Sequence, residues 1–207
     1  MSRRLVYFHG FNSAPDPGSE KIQAIQALGK ALDYRVLTPL VRYQHLRGQS
    51  ADAALNFADG RTLGECLQGC SQVVFAGSSL GGWLAMRLAA LYRVQGRLLI
   101  NPSLQPFATL RHHLSEHMVN FVSGEHYRLP EDFTDQVQAL DRCAREFEDS
   151  GIPTLVLLDM DDEVLDSAYS LQYCQGWARV HAFEGGSHRF EHIREASPLM
   201  HEWLSAL

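Results

Sequence analysis

The pentapeptide Gly77-Ser78-Ser79-Leu80-Gly81 has the form Gly-x-Ser-x-Gly and follows the apolar, β-forming run Val73-Val74-Phe75-Ala76. Residues 83–91 then read as a helix with its apolar face toward a core. A serine forced onto a sharp turn between a strand and a helix presents its Oγ at the carboxyl edge of a sheet, with a free backbone N–H behind it. Gly77 and Gly81 are the small residues such a turn needs, because side chains there would meet the neighbouring strand or helix. Centring the motif makes Ser79 the candidate nucleophile, and the N–H of Leu80, directly after it, a candidate oxyanion donor.

A serine hydroxyl is a poor nucleophile at neutral pH. It needs a base beside it and a third group that fixes the base's tautomer and orientation. Ten histidines are available, and topology selects among them, since catalytic groups of an open α/β sheet collect at the carboxyl ends of its strands. His188 lies in the glycine-flanked loop Glu184-Gly185-Gly186-Ser187-His188-Arg189-Phe190, just after the last apolar run, where a mobile turn could swing its imidazole toward Ser79. For the acid, Asp159, Asp161, Asp162 and Asp166 all follow the strand-like residues 153–158. Asp162 is preferred, with Asp161 second, because Val164 two positions on could anchor the loop against the core. The loop His9-Gly10-Phe11 follows the first apolar run, and Gly10 lets it bend close, which makes the N–H of Phe11 the second candidate oxyanion donor.

These groups need a scaffold that brings several strand ends together. Residues 5–8 form a continuous apolar run, the pattern of a strand buried on both faces, and apolar positions at Ile22, Ile25, Leu28 and Leu32 give one helical face after Ser19, a plausible N-cap. Further strands are expected at residues 34–38, 72–76, 97–100, 153–158 and 178–183. Helices are expected at 51–57, 61–70, 83–92, 135–148 and 167–174, and a last one ends near Leu204. Alternating strands and helices imply one α/β domain over residues 1–207, a mostly parallel sheet with helices on both faces. The alternation lapses over residues 102–151, which hold Phe107, His112, His113, His117, Phe121, Tyr127 and Phe133; this stretch reads as a short helical insertion without strands, placed where a lid could cover a site.

Composition narrows the function classes. The 207 residues are 45% hydrophobic and 20% charged, enough for one sizeable core. A formal charge of -6 and the absence of a Lys/Arg run argue against a general nucleic-acid or anionic-membrane surface. No stretch approaches a membrane span, and the apolar run after Arg3-Arg4 is too short for a signal-peptide core, so a cytoplasmic location is expected. Cys66, Cys70, Cys143 and Cys174 form no CxxC pair and are expected to be reduced thiols, with Cys66 and Cys70 one turn apart on a helix. His112, His113 and His117 lack an acid or thiol placed to finish a metal site, so no metal is expected.

Four blocks in the same order, Tyr7-Phe8-His9-Gly10-Phe11-Asn12-Ser13, Gly77-Ser78-Ser79-Leu80-Gly81-Gly82, Asp162-Glu163-Val164-Leu165-Asp166 and Glu184-Gly185-Gly186-Ser187-His188-Arg189-Phe190, carry a further reading. With them the chain resembles the α/β-hydrolase superfamily over essentially its whole length, and more narrowly the small YqiA/YcfP-type bacterial esterases. The order Ser79, acid, His188 is that of the superfamily. The resemblance implies a compact α/β-hydrolase fold and hydrolysis of small acyl esters or thioesters, with no cofactor. An acyltransferase using the same acyl-enzyme, or a ligand-binding module retained on the fold, is the alternative.

Overall fold

The apolar runs form strands whose alternate residues serve two cores. In the computed structural model, which describes residues 2–47, 50–114, 116–145 and 151–207, β1 (Ser2–Phe8) leads through a long turn into α1 (Glu20–Ala31), followed by β2 (Arg35–Leu37). Two short strands, β3 (Leu40–Val41) and β4 (Leu55–Asn56), and the one-turn α2 (Leu63–Leu67) precede β5 (Cys70–Ser79), α3 (Leu80–Leu91) and β6 (Gly96–Pro102). An insertion follows: α4 (Pro106–Leu110), the hairpin β7 (His117–Val119) and β8 (His126–Arg128), and α5 (Phe133–Arg145). The chain then resumes with β9 (Thr154–Asp159), α6 (Ser167–Cys174), β10 (Arg179–Phe183) and α7 (Ile193–Ser205).

Six strands make one parallel sheet in the order β10-β9-β6-β5-β1-β2. Val6, Phe8, Val73, Phe75, Leu99, Val156 and Leu158 face one core with Trp83 and Leu84 of α3 and Val137 and Leu140 of α5. Leu5, Tyr7, Val74, Ala76, Leu98, Ile100, Leu155 and Leu157 face the other, with Ile22 and Ile25 of α1 and Ala196 and Met200 of α7. Covering both faces is why these strands read as unbroken apolar runs rather than as alternating ones. Register sets the site: Phe8 lies opposite Gly77, so the loop after β1 and the turn after β5 leave the sheet side by side.

Residues 51–57 are not the expected helix. Ala51, Ala54 and Leu55 are buried, which produced the helical spacing, but a short 3-10 turn at Asp52–Ala54 runs into β4, which pairs antiparallel with β3. The helix expected over 61–70 is confined to α2, opened by a reciprocal Thr62 and Glu65 capping box and closed before Gly69, whose φ is +71. Cys70 therefore opens β5 instead of sharing a helix face with Cys66. The insertion carries a β-hairpin in addition to its helices, against the strand-free expectation, while the end of the helix expected over 135–148 lies outside the described residues. No helix among the described residues is long and apolar enough to cross a membrane.

Candidate active site

Ser79 ends β5 and immediately precedes α3, at φ +54 and ψ -127, a conformation that costs an L-residue energy and persists only where its surroundings enforce it. The enforcement is steric and polar. A Cβ on Gly77 would overlap the Gly81 carbonyl, and one on Gly81 would overlap the Phe8 carbonyl, so only glycine permits so close a crossing of strand, helix and β1. The Ser79 carbonyl accepts the N–H of Ser103 at 2.9 Å, which ties the turn to the end of β6.

The three residues chosen from the sequence meet. His188 Nε2 lies 3.0 Å from Ser79 Oγ, and His188 Nδ1 lies 2.9 and 3.0 Å from the two carboxylate oxygens of Asp162. The Asp162 side chain is only 2% exposed and that of His188 23%. Burial pushes the Asp162 carboxyl upward, but the His188 ring and the N–H groups of Leu165 and Val164 outweigh it and hold the group below the usual carboxylate value. An ionised Asp162 accepts a hydrogen bond from the Nδ1–H, which leaves the Nε2 lone pair for the Ser79 hydroxyl. Asp161 is exposed, and its N–H donates to the Gly185 carbonyl. Val164 is 54% exposed and anchors nothing; what fixes the Asp162 turn is its own Oδ1, accepting the Val164 and Leu165 N–H groups at 2.9 and 2.8 Å.

The turn carrying His188 is held rather than left free to swing. Asp159, fully buried at the end of β9, accepts the N–H groups of Ser187 and Glu191 on Oδ2 and the His192 ring on Oδ1, and that last bond raises the His192 pKa. A Cβ on Gly186, at φ +78, would overlap this carboxylate. Asn101, next to last in β6 and at φ +39, donates Nδ2 to the Ser187 carbonyl at 3.1 Å and accepts the Asp159 N–H on Oδ1 at 2.9 Å. Glu163 accepts the N–H of His188 itself at 2.9 Å, and Lys21 donates to the Arg189 carbonyl at 2.7 Å. In the sequence Asp159 stands out only as one candidate acid among four, and Asn101 and Glu163 carry no recognisable role. The available signal was that Asn101-Pro102 and Asp162-Glu163 both stand at the carboxyl ends of strands.

The loop after β1 reaches the same place. A Cβ on Gly10 would stand 3.2 Å from Ser79 Cβ and 3.7 Å from Ser79 Oγ, so this backbone passes directly beside the serine. His9 is 4% exposed; its Nδ1 donates to the Gly10 carbonyl at 2.9 Å while Nε2 accepts the Val41 N–H at 2.8 Å. Those two bonds demand the neutral ring, and burial pushes its pKa down to about 4. Because Gly10 C=O and Phe11 N–H belong to one planar peptide, the His9 bond also turns the Phe11 N–H away from His9. Phe11 packs its ring between Tyr43 and His113, and Leu80 opens α3, where first-turn N–H groups find no carbonyl within the helix.

Among the described residues no group of three His, Cys, Asp or Glu side chains is arranged to hold a metal ion. His113 pairs with Glu116, His112 accepts from Arg111, and His117 packs on His126 across the hairpin.

Comparison with known proteins agrees with this architecture. A family model described as an uncharacterised protein family, UPF0227, matches residues 4–204. A UPF0227 protein of Serratia proteamaculans (strain 568) is 25% identical over 193 residues, covering 91% of this chain and 92% of that protein. Among solved structures, Est1E from Butyrivibrio proteoclasticus with ferulic acid bound is similar at a TM-score of 0.69 and 16% identity, covering 99% of this chain and 89% of its own. A monoacylglycerol lipase from Paleococcus ferrophilus is similar at a TM-score of 0.67 and 16% identity, covering 100% and 96%. The fold is that of the α/β-hydrolases.

Proposed function

We propose that this chain, which belongs to the uncharacterised protein family UPF0227, is a serine-dependent hydrolase of small acyl esters or thioesters. The observation that carries the proposal is the continuous relay from Asp162 through His188 to Ser79, with contacts of 2.9 and 3.0 Å, at a strained turn whose hydroxyl stands beside the loop after β1. A binding module has no need of an oriented imidazole on a serine held at positive φ.

In this reading Ser79 Oγ attacks the acyl carbonyl carbon while its proton passes to His188 Nε2, and Asp162 stabilises the imidazolium. The carbonyl oxygen, now anionic, accepts the N–H groups of Leu80 and Phe11; each such preplaced donor is worth about 3 kcal/mol in the transition state. The imidazolium returns the proton to the leaving alkoxide or thiolate. Water, deprotonated by His188, then attacks the acyl-enzyme, and Ser79 recovers its proton as the acid departs.

The test is intact-mass spectrometry of the wild type and Ser79→Ala after exposure to a fluorophosphonate, beside hydrolysis of a short-chain aryl ester. A single adduct on the wild type only, with turnover in Ser79→Ala reduced by about 10⁴- to 10⁶-fold, is the expected result. Near-wild-type turnover in Ser79→Ala, or neither adduct nor turnover in the folded wild type, overturns the proposal.

A further inference from the structure

The Phe11 N–H sits in a loop that the insertion grips. The N–H of Phe121, between β7 and β8, donates to the Asn12 carbonyl at 3.2 Å, and the Tyr127 hydroxyl, on β8, donates to Asn12 Oδ1 at 3.1 Å. Asn120 Nδ2 donates to the Ser13 carbonyl at 2.8 Å, and the His113 ring lies 5.9 Å from that of Phe11. Asn12 is 6% exposed and stands at φ +54, a left-handed conformation that asparagine adopts more readily than most residues. Phe11 is therefore bracketed. Its preceding peptide is held through the Gly10 carbonyl by His9, and the residue after it is held by the hairpin.

The other end of the insertion grips the serine's helix. Asp141 of α5 pairs with Arg87 of α3 at 2.8 Å, both side chains 5% exposed, and accepts the Trp83 indole N–H at 3.2 Å. One segment is thus fastened at α5 to the helix that begins with Leu80, and at the hairpin to the loop that contains Phe11. Those are the two backbone donors of the proposed reaction.

We propose that the hairpin β7–β8 is a fixed brace for the oxyanion hole, in which Tyr127 and Asn12 are positioning residues that keep the Phe11 N–H aimed at the space beside Ser79. The proposal rests on the serine-hydrolase reading. It gives the hairpin a role different from a swinging lid, because lifting it would break the Asn12 and Ser13 bonds and release the donor that the chemistry uses. Preplaced donors act by costing no reorganisation when charge develops, so loosening the loop lowers the rate of the chemical step and leaves ground-state binding nearly alone.

The test compares wild type, Tyr127→Phe, Asn12→Gly and the double variant, each as the full chain. Glycine tolerates the positive φ at residue 12, so Asn12→Gly removes the side-chain acceptor without straining the backbone. Aryl-ester kinetics are read beside inhibition by a short alkylboronic acid, whose tetrahedral adduct on the serine directs an oxygen at the donors. The expected result is a kcat lower by about 5- to 20-fold in each single variant with KM within about twofold, the boronate weakened by a similar factor, and a double variant no worse than the poorer single one. Wild-type kcat and boronate affinity in Tyr127→Phe, a loss seen in KM alone, or fully additive losses in the double variant would overturn the brace while leaving the hydrolase standing. A wild type that takes no fluorophosphonate and turns over no ester overturns both.

Discussion

Glu163 Oε2 accepts the backbone N–H of His188 at 2.9 Å, while its neighbour Asp162 holds the ring of the same histidine. Two consecutive carboxylates thus fix one residue by its main chain and by its side chain. The bond from the His188 N–H keeps the Glu163 carboxyl below its ordinary value, so it is ionised and accepts strongly at neutral pH.

Glu163→Gln keeps the shape but weakens a charge-assisted bond to a neutral one. A group that acts only by orienting another should cost kcat about 3- to 10-fold on this change, with KM little altered and fluorophosphonate labelling of Ser79 slowed in parallel. Unchanged kcat together with unchanged labelling would show that the Asp159 and Asn101 contacts suffice to hold the turn.

The choice between neighbouring aspartates is decided by burial and partners. Asp162→Asn keeps the volume yet presents either an amide donor or a weaker acceptor to His188 Nδ1, and the expected loss in kcat is about 10⁴-fold. Asp161→Asn changes an exposed side chain and should stay within about twofold of wild type. Steady-state rates on one aryl ester separate the two, and equal losses would break the assignment of the acid.

His9 gives stability a pH dependence with a defined window. Its pKa is about 4 in the folded protein against an ordinary value of 6.5, so between those values the unfolded chain binds more protons and stability falls as pH falls. The contribution is complete above pH 6.5 and loses about 2 kcal/mol by pH 5. Urea unfolding of wild type and His9→Gln at pH 7.5 and 5 should show that difference between their slopes with pH. The depressed Asp162 carboxyl acts lower, since its stabilising charge is present above the usual carboxylate pKa and is lost only below it. Parallel slopes for the two proteins would mean that His9 is not held neutral.

What was legible beforehand was what short-range sterics and strand ends determine. The turn at Ser79 declares itself because Gly77 and Gly81 are needed within a few residues of it, and His188 declares itself by standing after the last strand. The contacts that hold these residues were not legible. Asn101 and Ser187 are far apart in the chain, as are Asn12 and Tyr127, and no local propensity encodes such pairs. Residues 51–57 misled for a related reason: buried positions 51, 54 and 55 satisfy helical spacing, yet pairing with residues 40–41 selects a strand. The hairpin at residues 117–128 was hidden because both strands are short and largely exposed, so no alternation of apolar residues marks them.

The backbone at Ser79 links stability to chemistry in a way that two inactive variants can read. Ser79→Ala and Ser79→Gly both remove Oγ and its bond to His188, so both are expected to lose turnover to the same degree. They differ in what remains: alanine keeps a Cβ at φ +54 and ψ -127, while glycine occupies this conformation without penalty. Strain of this kind costs about 1 to 3 kcal/mol, and part of it is offset by the greater entropy glycine loses on folding. Ser79→Gly should therefore be the more stable of the two by about 1 kcal/mol, seen as a higher urea midpoint at equal slope. A less stable glycine variant would mean that the turn stores no strain at Ser79, and that the sharp elbow is set by Gly77 and Gly81 alone.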